Sequence, residues 1–442
     1  MVSRSSTTEL GAPVTSPELP AWPIHRARGR PLEFLEQLAA RGDIVPFTVG
    51  RQKALLLCHP RHIEQVLRVD DARFAKGPAF MRARRLLGSG LLTADKQVHR
   101  QRRPVVQRAF HRGHMERYGA LVVQRTLRAS ARWTAAAPID IAGEMHGLTL
   151  GVASEALFSE PLDERQALDL HRAVTALAAD DPLRSLLAPP RRRRASEQAL
   201  HAFVTGVVDR RRKSPRPSDD LLGILMALAP DGNTAAARQL HDDVLTMLLA
   251  GHDTIANALT WTWILLARHA HVEQRLHAEV TDVLEGQLPD AGVVDRLPFT
   301  RAVLAESLRL FPPAALLTRC ALEDVELDGG RIPAASLVVM SQYLAHRDAR
   351  FFPEPLAFNP DRWLPSVRRE AVGKSAYFPF GAGPRACIGE GFAWMEGILV
   401  LAMLAERWRV RPAGLDAVEA ETRVTLRPRP PVWACVEPRS RL

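Results

Sequence analysis

Residues 380–389 read FGAGPRACIG and set Cys387, one of 4 cysteines in 442 residues, just ahead of the helical run GFAWMEGILVLAMLAERW. A free cysteine is most simply a small buried hydrophobe. Its neighbours point to a second reading. The helix expected to begin near Gly389 offers unpaired backbone N–H groups and the positive end of its dipole to whatever precedes it. Arg385, two residues back, adds positive charge, and both effects lower a thiol pKa toward thiolate. Gly381, Gly383 and Gly389 permit tight turns and close approach of a flat ligand. Phe380 is placed to cover the sulfur from water.

Three other groupings carry chemistry. The stretch VLTMLLAGHDTIANALTWTWILLA, residues 244–267, is apolar on nearly every face yet holds Gly251, His252, Asp253 and Thr254 near its middle. As a helix it spans roughly 36 Å, long enough to cross a bilayer. An aspartate at mid-bilayer is costly, so a helix through the centre of a large core fits better. A buried acid must find a partner or stay neutral. Thr254 either works with it or bonds back to its own helix. Glu306 and Arg309, three apart, can pair on one helix face; on a surface that pair contributes little. His99 and Arg103, four apart, also share a face, and Arg319 follows the proline turn Pro312-Pro313.

Taken together and in order, these segments resemble the cytochrome P450 superfamily over nearly the whole chain from about residue 30. FGAGPRACIG is similar to its F-x-x-G-x-R-x-C-x-G loop, AGHDT (250–254) to A-G-x-[DE]-T, ESLR (306–309) to E-x-x-R, FNPDRW (358–363) to the later meander, and HRQRR (99–103) to a W/H-x-x-x-R helix. The resemblance implies a mainly α fold with small β-sheets, a triangular-prism helical domain with a long central helix and a minor β-rich region. It implies haem b, iron protoporphyrin IX, with Cys387 as the iron ligand. Phe380, Gly381 and Ala250 would adjoin the haem, and His99, Arg103, Arg319 and Arg385 would meet its propionates. Histidine at 99, where the family often has tryptophan, is a tolerated departure. Glu306, Arg309 and Arg362 would form a buried structural triad.

The implied reaction is monooxygenation: one atom of dioxygen enters a C–H or C=C bond and the other leaves as water. Asp253 and Thr254 would deliver protons, and Gly251 would keep the central helix thin beside the oxygen. By family position, Phe80–Leu92, Leu249, Ala250, Thr254, Ala314, Leu316, Leu317, Val424 and Thr425 would line a substrate pocket. That lining is mostly apolar, which suits a lipophilic small molecule. The motif wording is similar to bacterial fatty-acid, carotenoid and terpenoid hydroxylases; a polyketide is a further candidate. Peroxide-driven or rearranging haem-thiolate enzymes, and a non-catalytic haem-based sensor, are the rivals. The presence of Asp253-Thr254 counts against the first two.

The elements that must position these residues are readable in outline. A short amphipathic helix is expected from Arg30 through Ala40, a hairpin over 44–50 and 54–58, and a helix RHIEQVLR after His59-Pro60. Helices dominate from 95 to about 310, broken at 188–190 and 214–218. Strands return at 321–341, and TRVTLRP and PVWACVE close the chain. Residues 1–29 read as a flexible leader without the apolar core of a signal peptide, and 30–442 as one domain.

Formal charge is +10. No C-x-x-C pair occurs, so a zinc site or disulfide framework is not expected and a reducing cytoplasm is. With no flavin or iron–sulfur segment in the sequence, electrons are expected from a separate acidic ferredoxin or flavodoxin and its reductase. These would dock on a basic face carrying Arg100, Arg102, Arg108, Arg368 and Arg369. Arg191–Arg194 and Arg210–Lys213 read as solvated faces or a weak attraction to anionic membrane. They lack the interleaved aromatics of a nucleic-acid surface. Arg82, Arg84 and Arg85 either meet a carboxylate or face solvent. A monomer without an integral membrane anchor is the expected state.

Overall fold

The computed structural model describes residues 22–23, 30–135, 137–178, 190–214, 220–230, 232–365, 375–412, 418–429 and 431–439. In chain order its helices are α1 (Pro31–Ala39), α2 (Pro60–Glu64), α3 (Pro78–Leu87), α4 (Lys96–Gln107), α5 (Arg112–Ser130), α6 (Ile141–Phe158) and α7 (Glu164–Ala178). Then come α8 (Pro190–Lys213), α9 (Leu221–Met226), α10 (Thr234–Arg268), α11 (Ala270–Leu284), α12 (Pro298–Leu310), α13 (Gln342–Ala345) and α14 (Glu390–Arg407). The breaks expected near 188–190 and 214–218 fall mostly on residues outside those described.

The central helix α10 is 35 residues long and starts ten positions before the stretch read from hydropathy. The reason is local. Asn233 caps the first turn by accepting from the Ala236 N–H at 3.0 Å, and TAAARQLHDD adds good helix formers that need not be apolar. From Val244 to Leu266 most side chains are buried, including Trp261 and Trp263 at 1% exposure each. The helix therefore threads the main core, with α6, α12 and α14 packed around it. No helix of the described residues is long and apolar enough to cross a membrane.

Strands are few and short. β1 (Trp22–Pro23), β2 (Ile44–Val49), β3 (Gln52–Leu57) and β4 (Phe74–Lys76) precede β5 (Pro138–Asp140), β6 (Leu317–Ala321), β7 (Val325–Leu327), β8 (Gly330–Ile332) and β9 (Leu337–Met340). β10 (Trp408–Pro412), β11 (Ala420–Thr422), β12 (Leu426–Pro428) and β13 (Trp433–Pro438) follow. The largest sheet runs β1-β2-β3-β9-β6-β4. Its outer pair places Lys76 directly opposite Arg319, and β1 sets Trp22 opposite Phe47.

The segment after His59-Pro60 is not one uniform helix. α2 gives way at Gln65 to a wide turn, Gln65–Val69, and that turn is where the cysteine loop rests. Gly383 sits at φ +70°, and a Cβ there would lie 1.8 Å from the Leu67 carbonyl oxygen. Only glycine satisfies both conditions.

Candidate active site

The cysteine loop is held by its own backbone. The Cys387 N–H donates to the Phe380 carbonyl at 2.8 Å, closing the turn around the sulfur. Cys387 is accessible to solvent-sized contact although protein surrounds it closely. The expected depression of its thiol pKa is not what the protein alone produces. Burial, the larger effect, pushes the thiol up from its ordinary value, against a backbone N–H at Gly389 and the charge of Arg103. Arg103, not Arg385, is the cation that favours thiolate; its guanidinium donates to the Ala386 carbonyl at 2.7 Å. Arg385 donates instead to the Ala94 carbonyl at 3.0 Å. A coordinated metal deprotonates a thiol outright, so a raised intrinsic pKa is no obstacle to ligation.

His99, Arg103, Arg319 and Arg385 converge, and the fold adds Lys76 to them. The register that opposes Lys76 to Arg319 is a sheet contact between positions 243 apart, which no local pattern reveals. Burial, then Arg385 and Arg319, hold the Lys76 ammonium well below its ordinary pKa. Burial followed by Arg385, Arg103 and Lys76 brings the His99 imidazole down to about 3, so it is neutral. Arg319 is 4% exposed and its guanidinium donates to the Thr318 carbonyl at 3.0 Å. The acids acting on these cations are Asp71 and, at Arg385, Asp95. Positive charge exceeds negative in a desolvated place, an arrangement suited to an anionic ligand.

Glu306, Arg309 and Arg362 form a second cluster. Arg309 meets Glu306 with two parallel bonds of 2.8 Å, and Arg362 Nε donates to the same carboxylate at 3.0 Å. Trp363 Nε1 at 2.7 Å and the Asn359 N–H at 3.0 Å complete its acceptor capacity. Arg309 also donates to the carbonyls of His346, Pro355 and Ala357. The cluster reaches the cysteine loop through residues the motif does not name. Trp363 packs on Tyr377 at 4.3 Å between ring centroids, and His346 Nε2 accepts from the Phe378 N–H at 3.0 Å.

On α10, Ala250 and Thr254 share a face, and the Thr254 hydroxyl donates to the Ala250 carbonyl at 3.1 Å. The backbone stays α-helical through this point. Gly251 faces elsewhere. A Cβ on it would meet Ala153 and Leu157 of α6 at 3.6 Å, an ordinary contact distance, so the glycine looks toward α6 and not along the face of Ala250 and Thr254. Asp253 Oδ2 accepts from the Thr425 hydroxyl at 2.8 Å, and Asn257 ties both by donating to the Asp253 carbonyl at 2.7 Å and to Thr425 at 3.2 Å. Thr425 is thus bonded to the acid as well as placed near the pocket positions. Its turn is pinned by the Leu426 N–H on the Pro313 carbonyl at 2.8 Å, bringing it beside the segment of Ala314, Leu316 and Leu317.

Two arginines depart from these expectations, Arg102 of the docking face and Arg211 of the run read as solvated. Arg102 pairs with Asp243 of α10, an acid with no exposure. Arg211 is buried, bonded to Asp220 at 2.7 Å and to the Phe158 carbonyl at 2.9 Å. Arg100, Arg108 and, unread in the sequence, Arg112 are exposed around α4 and the start of α5. Arg84 donates to Ser89 at 2.7 Å and Arg85 is exposed; Arg368 and Arg369 lie outside the described residues.

A sequence model of the family described as Cytochrome P450 matches residues 18–435. The chain is 41% identical over 398 residues to Cyclooctatin synthase of Streptomyces melanosporofaciens, covering 87% of this chain and 86% of that protein. It is 36% identical over 426 residues to Pentalenene oxygenase of Streptomyces avermitilis, covering 92% and 94%. Cyclooctat-9-en-7-ol 5-monooxygenase of Streptomyces melanosporofaciens is 36% identical over 396 residues, covering 87% and 86%. The chain belongs to the cytochrome P450 family. It is a haem-thiolate monooxygenase. The residues present fit that cofactor: an accessible cysteine on a pinned loop, beside buried cations in excess of their acids.

Proposed function

We propose that this enzyme oxidises a terpenoid, with Cys387 Sγ as the iron ligand and Lys76, His99, Arg103, Arg319 and Arg385 receiving the propionates. The observation that carries the substrate class is the similarity, over most of both chains, to Cyclooctatin synthase, Pentalenene oxygenase and Cyclooctat-9-en-7-ol 5-monooxygenase. Haem, when bound, supplies the dioxygen activation that inserts one oxygen atom into an unreactive bond. The protein's own part is placement and proton supply. Ala250 and Thr254 present a small, weakly polar surface on one face of α10. Asp253 holds its carboxylate through Thr425; a proton reaching Thr254 Oγ1 requires Asp253 to rotate off that hydroxyl. The exposed Arg100, Arg108 and Arg112 support docking of an acidic ferredoxin or flavodoxin, weakened by salt. Residues 30–442 act as one catalytic domain in the cytoplasm.

A spectral titration tests the substrate class. Cyclic terpene hydrocarbons and alcohols are expected to displace water from ferric haem and to be oxygenated when a surrogate ferredoxin system supplies electrons. A response confined to fatty acids would overturn the reading.

A further inference from the structure

Three histidines from three helices meet on the side of α10 that faces α6. His146 of α6, His171 of α7 and His252 of α10 each bring one ring nitrogen to a common point, all within 4.8 Å of one another. The rings of His146 and His171 lie 4.4 Å apart between centroids. His252 Nδ1 stands 2.9 Å from the Leu248 carbonyl. A carbonyl only accepts, so Nδ1 carries the hydrogen and Nε2 is a bare lone pair. That Nε2 is buried and engages no hydrogen bond, and neither does the buried Nδ1 of His146. Burial keeps both imidazoles neutral by lowering their pKa values, and neutral imidazole is the form that binds metal.

A ring nitrogen fixed by a backbone carbonyl while its partner points at a shared centre is the usual outer support of a metal-bound histidine. We propose that His146, His171 and His252 form a binding site for a late first-row divalent cation of the zinc type, separate from the haem. Three imidazoles suit zinc, copper and nickel more than magnesium or calcium. Zinc–nitrogen bonds of about 2.0–2.1 Å put tetrahedral ligands roughly 3.3 Å apart, so the nitrogens close by up to about 1.5 Å on binding. Asp253 Oδ1, 3.9 Å from His146 Nδ1, supplies a counter-charge and a potential fourth ligand. Arg427, whose charge also acts on His146 and His171, is offset by Glu421 at 3.4 Å. Half-buried His171 gives the ion a way in.

The test uses untagged holoenzyme, stripped by chelator, incubated with zinc sulfate, desalted and assayed for zinc and iron. Near one zinc per haem iron is expected. Retention should fall at least tenfold in His171→Ala and His146→Ala, with the reduced carbon monoxide spectrum reporting that each variant is folded. The zinc X-ray absorption edge of the wild type should show a shell of imidazole nitrogens, a readout that does not depend on either variant folding. Wild-type enzyme that keeps no zinc, or keeps it without an imidazole shell, overturns the site. So do folded variants that keep zinc equally well.

Discussion

Two groups of buried or half-buried arginine, both tied to the cysteine loop, differ in what answers their charge. Arg309 and Arg362 share Glu306, whose two oxygens also take the Trp363 and Asn359 N–H groups, and Arg309 spends its other donors on three carbonyls. Arg319 and Arg385 have single carbonyl bonds of 3.0 Å and sit with Lys76, whose ammonium lies 4.2 Å over the Phe80 ring. The first group is complete within the protein, so its work is structural. The second has more positive charge than Asp71 and Asp95 answer, as the proposed propionate site requires. Buried charge without its counter-ion marks a ligand place; buried charge with every donor used marks a strut.

The largest effect is expected at the strut. Glu306→Gln leaves two guanidinium groups facing a neutral amide in a site of zero exposure, and breaking such a pair costs about 3–5 kcal/mol. The variant should yield little folded holoprotein and show a far shorter thermal half-life. Wild-type half-life in that variant would dissolve the distinction between the groups. Arg319→Met should fold normally, since no protein acid is stranded, but hold haem about tenfold or more weakly, the loss of a charge-assisted bond of roughly 1.5–3 kcal/mol. Haem transfer to an acceptor apoprotein measures it; unchanged transfer would mean the cation cluster does not face the propionates.

The smallest effect is a pH dependence at the junction of the strut and the loop. Burial, then Arg309 and Arg347, lower the His346 imidazole from 6.5 to about 3, and the neutral ring accepts from the Phe378 N–H. Its contribution is whole above the unfolded value of about 6.5 and is lost as pH falls toward 3, since the unfolded chain takes a proton the folded one refuses. At pH 5 the loss is about 2 kcal/mol. His346→Gln, which keeps an acceptor, should flatten that part of the stability curve between pH 7 and 5. An unaltered slope would place the acid sensitivity elsewhere.

Much of this is legible in the sequence. The cysteine loop, Glu306 with Arg309 and the His99–Arg103 pair are local patterns, and helical spacing alone puts their members together. What escaped the sequence was joined across it. Lys76 enters through a strand register, Arg102 and Arg211 find buried acids on other elements, and the three histidines lie on separate helices. Direction also escaped. Spacing says that Gly251 and Ala250 are neighbours, but which one looks at α6 is settled only by how the helices pack.

That last detail bears on how the enzyme can be altered. Two small residues side by side on α10 control different dimensions. A methyl on Gly251 would find ordinary contact with α6 and only a larger side chain would press on that helix; enlarging Ala250, which is exposed beside Thr254, would take volume from the proposed reaction chamber and leave the helix spacing alone. A change of product shape is therefore best sought at 250, with 251 left as glycine.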